Sequence, residues 1–298
     1  MYDHKSKQYA ALKIVRNEKR FLQQAKREVK ILEQLLVADP ANTANVVHIK
    51  NSFIFRGHAC IVFELMSINL YELIKKNKYV GFSPRLVKNF AHSISIALSL
   101  LKRNKIIHGD LKPENILLRQ PGKSGLKVID FGSSCYTAGR LHGYVQSRFY
   151  RAPEVILGCQ YGAEVDMWSL GCILAELLTG HPLLPGHHEE DQLALIIELL
   201  GLPPPQLMAA ASRAPKFFSV TTGCPRYLLA QQQQPGLEPR GGPGSRDLGL
   251  VLARCVRREE DLAPMVDFIR RCLEWDPSLR LTPDTALRHA WLRAAPSH

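Results

Sequence analysis

Asp110, Lys112 and Asn115 lie in one short run, His108-Gly109-Asp110-Leu111-Lys112-Pro113-Glu114-Asn115, and Asp130-Phe131-Gly132 follows about twenty residues later. Two carboxylates, an amide and an ammonium in this order suit transfer of the γ-phosphoryl of ATP to a hydroxyl. That reaction needs positioning and charge neutralisation more than covalent chemistry. Asp110 would accept the proton of the attacking hydroxyl. Asn115 and Asp130 offer the hard oxygens that Mg²⁺ prefers, and the metal in turn bridges phosphate oxygens. Lys112, between them, puts a cation within reach of the transferring phosphate. An Asp and an Asn five residues apart are, alone, usually part of a solvated loop. The apolar flank Leu126-Lys127-Val128-Ile129 argues otherwise for Asp130, since it reads as a buried strand ending at that carboxylate.

Such groups need elements to hold them. Ala10-Ala11-Leu12-Lys13-Ile14-Val15 is a short apolar strand interrupted by one lysine. From Gln24 to Leu36 apolar residues recur at Ala25, Val29, Leu32 and Leu36, a helical spacing with Glu28 on an adjoining face. Further on come Ala152-Pro153-Glu154, an apolar helix opened by Asp166-Met167-Trp168-Ser169-Leu170-Gly171-Cys172, and Trp275-Asp276-Pro277-Ser278-Leu279-Arg280. In this order the set resembles the protein kinases. The resemblance implies that Lys13 holds the α- and β-phosphates with Glu28 as its partner, and that Glu154 and Arg280 form a buried ion pair. A lysine two residues after the catalytic aspartate resembles the serine/threonine version of the loop. Glu64-Leu65-Met66 would be the hinge whose backbone binds adenine. Phe63 would guard the pocket behind it, with Ala11 and Leu117 above and below the ring.

The implied fold class is α+β: a bilobal kinase fold with a small β-sheet lobe and hinge over residues 1–66 and a mainly helical lobe over 67–298. Strands are expected at Val46 to Ile49, Ser52 to Phe55 and Cys60 to Phe63. Helices are expected over Pro84 to Arg103, Asp191 to Leu200, Leu262 to Cys272 and Thr282 to Trp291, the last with Thr282 as cap and Pro283 at its first position. Residues 228–245, with four consecutive glutamines and a Pro/Gly cluster, read as a disordered loop. No internal repeat is visible. No Gly-x-Gly-x-x-Gly precedes Lys13, so the first two strands of the small lobe and their phosphate-covering turn are expected to be missing, as in an N-terminally truncated form. An unpaired sheet edge and an open nucleotide site would follow, and an inactive kinase-like scaffold is the alternative function.

Composition sets wider bounds. The 298 residues allow two lobes with a sizeable core, and 46% apolar content is that of a globular chain. No apolar run reaches membrane-spanning length and no signal peptide is visible, so no membrane partner is expected. Seven cysteines without Cys-x-x-Cys spacing suggest neither a disulfide framework nor a zinc site, and place the chain in the cytoplasm, the nucleus or both. The charge is 39 − 27 = +12, but the basic residues are scattered and carry no nucleic-acid motif. ATP and acidic patches on partners suffice to explain them. Binding to nucleic acid through this charge would show steep salt dependence.

The resemblance narrows after the second aspartate. Ser133-Ser134-Cys135-Tyr136 and Tyr144-Val145-Gln146-Ser147-Arg148-Phe149-Tyr150-Arg151-Ala152-Pro153-Glu154 are similar to the dual-specificity tyrosine-phosphorylation-regulated kinases of the CMGC group, nearest to their class II branch. Phe63-Glu64-Leu65, Asn69-Leu70-Tyr71-Glu72-Leu73-Ile74 and Ala286-Leu287-Arg288-His289-Ala290-Trp291 support that family, and homeodomain-interacting kinases share several of these strings. Membership implies one autophosphorylation on tyrosine, here Tyr144, followed by activity on Ser and Thr of other proteins by a monomer. Arg148 and Arg151 are close enough in sequence to hold the phosphate. Arg151 and Glu114 imply substrates of the Arg-x-x-Ser/Thr-Pro type. Two positions depart from the family: Gly109 stands where it usually has Cys, and His142 replaces the first tyrosine of its Tyr-x-Tyr pair.

Overall fold

The computed structural model describes residues 1–4, 7–138, 144–233, 240–255 and 259–293. The sheet comes first in the chain. Strand β2 (Gln8–Ile14) pairs antiparallel with β4 (His58–Glu64), setting Ala11 opposite Phe63 and Lys13 opposite Ile61. Strand β3 (Ile49–Phe55) closes the other side through a two-residue turn at Arg56 and Gly57, both with positive φ (49° and 79°), the handedness that suits a tight hairpin. The expected strands at 46–49 and 52–55 are therefore one element beginning at Ile49, and Val46 makes only an isolated bridge to Val128.

The edge of the sheet is not bare. Tyr2–Asp3 forms a short β1 paired with Tyr9 and Gln8, giving the order β1-β2-β4-β3. Ala10 exchanges hydrogen bonds with Met1, its N–H donating to the Met1 carbonyl at 2.9 Å and its carbonyl accepting from the Met1 amino group at 2.7 Å. The expectation of an unpaired edge is corrected to this extent: two residues suffice to satisfy backbone groups at the β2 margin.

Helix α1 (Lys19–Ala38) buries Ala25, Glu28, Ile31, Leu32 and Leu35, a face with helical spacing that carries one carboxylate among its apolar residues. In the larger lobe α2 (Leu70–Lys76) is capped by the Asn69 side chain, and α3 (Pro84–Arg103) starts at Ser83 with proline at its first turn and ends in Lys102 and Arg103. Two short ladders follow: β5 (Ile106–Ile107) with β8 (Cys135–Tyr136), and β6 (Ile116–Leu118) with β7 (Leu126–Val128). These hold the run from His108 to Asn115 on one side of the chemistry and Asp130 on the other.

After α4 (Pro153–Leu157) comes α5 (Glu164–Thr179), apolar around its whole circumference and buried from Val165 to Leu178, which makes it the axis of this lobe. Its C-cap Gly180 has φ +83°, and a Cβ there would lie 1.9 Å from the Tyr79 carbonyl oxygen, so no side chain fits. The remaining helices are α6 (Glu189–Leu200), α7 (Pro205–Ala209), α8 (Ala214–Phe217), α9 (Arg226–Gln233), α10 (Leu248–Ala253), α11 (Glu259–Cys272), α12 (Pro283–Ala286) and α13 (Ala290–Arg293). The expected last helix is thus two short ones, although Thr282 caps the first of them with Pro283 in place.

Of the segment expected to be disordered, residues 228–233 belong to the helix Arg226–Gln233, and residues 234–239 lie outside the described set. Residues 240–246 are pinned to α6: Arg240 pairs with Asp191 at 2.7 Å, and the Gly244 N–H donates to the Ile197 carbonyl at 2.9 Å. Composition missed this because the partners lie about fifty residues earlier in the chain. No helix among the described residues is long and apolar enough to cross a membrane.

Candidate active site

Between sheet and helical lobe runs a cleft of about 390 Å³ lined by Ala11, Leu12, Lys13, Glu28, Val47, Phe63, Glu64, Leu65, Met66, Asn115, Leu117, Ile129 and Asp130. Of the residues expected to touch ATP or its metal, Lys13, Ala11, Phe63, Glu64, Leu65, Met66, Leu117, Asn115 and Asp130 line this one cavity, and Lys112 does not. Leu12, Val47 and Ile129 were not anticipated, since nothing in their local spacing separates them from ordinary core residues. The hinge is braced from behind. Lys127, with no exposed side-chain surface, donates to the Glu64 carboxylate and to the Asn42 side chain, and the same Glu64 carboxylate accepts from the His48 N–H at 2.8 Å.

Lys13 Nζ donates to both carboxylate oxygens of Glu28, at 2.8 and 3.0 Å, and to Asp130 Oδ1 at 2.8 Å. Burial alone would pull the Lys13 ammonium down, but Glu28 and Asp130 outweigh it and hold its pKa above the ordinary value. Burial pushes Glu28 up against the opposing pull of Lys13, while Asp130 is held below the usual carboxylate range because Lys13 overcomes its desolvation. Asp130 has φ +62°, a left-handed conformation, and its Oδ1 also accepts from the Gly132 N–H at 3.4 Å. Gln24 on α1 anchors the same turn by donating to the Gly132 carbonyl at 2.6 Å.

Asp110 is oriented from several directions. Its Oδ1 accepts from the Ser147 hydroxyl at 2.7 Å and the Ser147 N–H at 3.1 Å, and its Oδ2 accepts from Lys112 Nζ at 2.9 Å. The Asn115 amide N–H donates to the Asp110 carbonyl at 2.8 Å, which leaves the amide oxygen as its end for a cation. Ser147 carries no sequence signal for this role, lying well downstream in another segment.

The loop itself rests on buried polar groups. The His108 and Gly109 N–H groups donate to the fully buried Asp166 at 2.7 and 3.0 Å. His108 Nε2 lies 2.9 Å from the Ile129 carbonyl, so it carries the proton, and Nδ1 is left to accept from the Asp110 N–H at 3.2 Å. One imidazole thus ties the segments that carry Asp110 and Asp130 together. Gly109 has φ +75°, and a Cβ would meet the Ser133 carbonyl oxygen at 3.1 Å. Glycine relieves backbone strain at that point.

A protein kinase domain model matches residues 1–292 of this chain. The chain belongs to the protein kinase family. It is 55% identical over 303 aligned residues to the dual specificity tyrosine-phosphorylation-regulated kinase mbk-2 of Caenorhabditis elegans, covering 98% of this chain and 36% of that protein. It is 54% identical to the human dual specificity tyrosine-phosphorylation-regulated kinase 3 (98% of this chain, 50% of that one), and 53% identical to the human kinase 4 of the same name (97% and 54%). These similarities place it with the dual-specificity tyrosine-phosphorylation-regulated kinases within the CMGC group. The chain spans between about a third and a half of the length of these relatives.

In this kinase domain the expected Glu154–Arg280 pair is present: two hydrogen bonds, 2.7 and 3.0 Å, between side chains with no exposed surface. Glu114 is exposed on the turn Pro113–Asn115. Tyr144 is 58% exposed, with the Arg151 guanidinium 3.9 Å from its ring centroid and bonded to its hydroxyl. Arg148 is directed elsewhere, donating to the Gly186 carbonyl at 3.3 Å and to that of His187. The second cation over the ring is Arg213, 5.7 Å away. His142 lies outside the described residues.

Proposed function

We propose that this kinase domain transfers the γ-phosphoryl of ATP to serine and threonine of proteins, after phosphorylating its own Tyr144 once. The observation that carries the reading is the Asp110 carboxylate, held by Ser147 and Lys112 with Asn115 on the Asp110 backbone carbonyl, beside an assembled Lys13–Glu28 pair. The apolar faces of Ala11, Val47 and Leu117 suit an adenine ring, and the hinge backbone at 64–66 suits its polar edge. Asn115 and Asp130 would hold Mg²⁺, which when bound supplies charge neutralisation on the phosphates.

The chain's own residues do the rest. Asp110 accepts the hydroxyl proton of the substrate, Lys112 screens that carboxylate and the incoming phosphoryl oxygens, and Lys13, kept charged by Glu28, fixes the phosphates behind the transferring group. Substrate preference is proposed from the same region. Arg151 occupies the Val145 carbonyl at 2.9 Å and the Gln146 carbonyl at 2.6 Å, and Gln146 sits at φ +68°. A substrate residue following the phosphorylated one then finds no carbonyl for its N–H, which favours proline. Exposed Glu114 suits an arginine three residues before the acceptor. The reading assigns an Arg-x-x-Ser/Thr-Pro site, a monomer, and a cytoplasmic or nuclear setting in which thiols stay reduced.

The test is phosphate transfer from Mg-ATP to an Arg-x-x-Ser-Pro peptide by residues 1–298, beside Asp110→Asn. We expect turnover by the parent and a loss of about 10²–10⁴-fold in the variant. No turnover by the parent, with the peptide or a protein partner still bound, would favour the inactive scaffold instead.

A further inference from the structure

Helix α1 carries Glu28, the partner of Lys13, between two glutamines that reach the larger lobe. Gln24, one turn before Glu28, donates to the Gly132 carbonyl at 2.6 Å. Gln34, further along the helix, spends both ends of its amide. Its Oε1 accepts from the Tyr136 hydroxyl at 3.0 Å, and its Nε2 donates to the Asn104 backbone carbonyl at 3.3 Å and to the Asn104 side-chain oxygen at 3.4 Å. Asn104 is itself fixed at the end of α3, where its side-chain N–H donates to the Leu100 carbonyl at 2.9 Å. Tyr136 sits in β8 opposite Ile106, and the Thr137 N–H donates to the Lys105 carbonyl at 2.9 Å. One half-buried amide therefore joins α1 to the turn between α3 and β5 and to the activation segment that leaves Asp130.

We infer that Tyr136 and Gln34 are positioning residues for phosphoryl transfer: their bond, seated on Asn104, sets the orientation of α1 and so keeps Glu28 on Lys13. This role deepens the kinase reading proposed above and rests on it. Neither residue lines the cleft; both act through Glu28.

A helix tethered at one point pivots about it. Gln24 and Gln34 lie about 15 Å apart along the axis with Glu28 between them, so two tethers leave Glu28 no swing. The tethers are unequal. Gln24 is exposed and holds its loop by a single bond, whereas Gln34 is half-buried and its amide is engaged on both sides. Water competes more readily for the first bond than for the second. What hangs on the orientation is the choice open to Lys13, whose ammonium is shared between both Glu28 oxygens and Asp130 Oδ1 at 2.8 Å. With α1 swung outward, Glu28 leaves and Lys13 collapses onto Asp130, the carboxylate read above as a metal ligand. The ammonium then neutralises that carboxylate instead of the phosphates. Removing the Tyr136 hydroxyl leaves the Gln34 oxygen half-buried without its donor, a loss that the outward position relieves by admitting water.

The test follows two readouts in the parent, Tyr136→Phe, Gln34→Met, Glu28→Gln and the double variant Tyr136→Phe with Glu28→Gln. The first is backbone hydrogen exchange over residues 24–35 of α1, with α5 as the reference for global unfolding; it needs no turnover. Exchange in α1 should be about fivefold faster in Tyr136→Phe and in Gln34→Met, with α5 unchanged. The second is kcat for phosphate transfer from Mg-ATP to the Arg-x-x-Ser-Pro peptide. Tyr136→Phe should lower it about fivefold against the parent and less than about twofold against Glu28→Gln, because a residue that acts through Glu28 then has nothing left to position. Parent-like α1 exchange in both Tyr136→Phe and Gln34→Met, an unchanged kcat in Tyr136→Phe beside an active parent, or a loss that repeats in full on Glu28→Gln would each overturn the inference. Faster exchange in α5 together with α1 would do so as well, since the bond would then stabilise the whole domain and not one helix. A parent without turnover sinks the kinase reading, while the exchange comparison still decides whether Tyr136 and Gln34 hold α1.

Discussion

Arg280–Glu154 and Arg213–Glu189 are the same chemical object, a planar fork meeting a carboxylate through two bonds of 2.6–3.0 Å. Their surroundings differ. In the first pair neither side chain has exposed surface, and Arg280 spends its remaining donors on the carbonyls of Glu164 and Glu274. In the second, the side chains keep 33% and 11% exposure, and the Tyr144 ring stands beside them. Burial makes the first pair permanent, because separating it leaves an uncompensated charge where no water can reach. Partial exposure lets the second change partners at modest cost. The one staples α4 to the base of the lobe; the other lies where water reaches it.

The largest effect that bears on this contrast is loss of one partner of the buried pair. Glu154→Ala or Arg280→Ala should destabilise the domain by about 3–5 kcal/mol in urea unfolding, read as a lower midpoint. The double variant Glu154→Leu with Arg280→Met should recover much of that loss, since no stranded charge remains. Single variants costing no more than Arg213→Ala would mean that burial does not separate the two pairs.

How far each pair could be read from the sequence follows the same division. Glu154 and Arg280 sit in runs with fixed local neighbours, Ala-Pro-Glu and Trp-Asp-Pro-Ser-Leu-Arg, so their types and order announced them. The same holds for Lys13, Glu28, Asp110, Asn115 and Asp130, whose positions on strand, helix and loop follow from apolar spacing. Arg213 carried no such signal. It lies 69 residues after Tyr144, and only tertiary structure brings its guanidinium to 5.7 Å from that ring. Ser147 at Asp110, and the pinning of residues 240–246 on α6, were hidden likewise, as contacts between distant segments.

A buried carboxyl without a cation gives the intermediate case. Glu176 on α5 is 3% exposed and accepts from the Tyr150 hydroxyl at 2.6 Å. Burial pushes its pKa up to about 7 against the pull of that hydrogen bond, with a smaller push from Glu114. The folded state therefore binds the proton more tightly than the unfolded state, so stability should fall as pH rises from about 4.5 to about 7 and then level off. The shift corresponds to roughly 3 kcal/mol across that window. Glu176→Gln should remove this slope from the difference between urea midpoints measured at pH 5 and pH 8. An unchanged slope would show that the carboxyl is ionised throughout.

The smallest expected effect is on the exposed pair in unmodified protein. Arg213→Ala should cost less than about 1 kcal/mol, as partly exposed ion pairs do. Its cost should shrink further in 1 M salt, where the screening length falls to about 3 Å, whereas the cost of Arg280→Ala should hardly change. The pH dependence runs opposite to that of Glu176. Glu189 is held at about 2, below its unfolded value of 4.5, so its contribution is present above 4.5 and is lost as the pH falls through that interval toward 2. A stability difference between parent and Arg213→Ala that persists in 1 M salt at pH 7 would mean that Arg213 acts through its Ile156 anchor and its packing on Phe217 rather than through Glu189. In that case the fork would not be an exchangeable cation, and the two pairs would differ in degree of exposure alone.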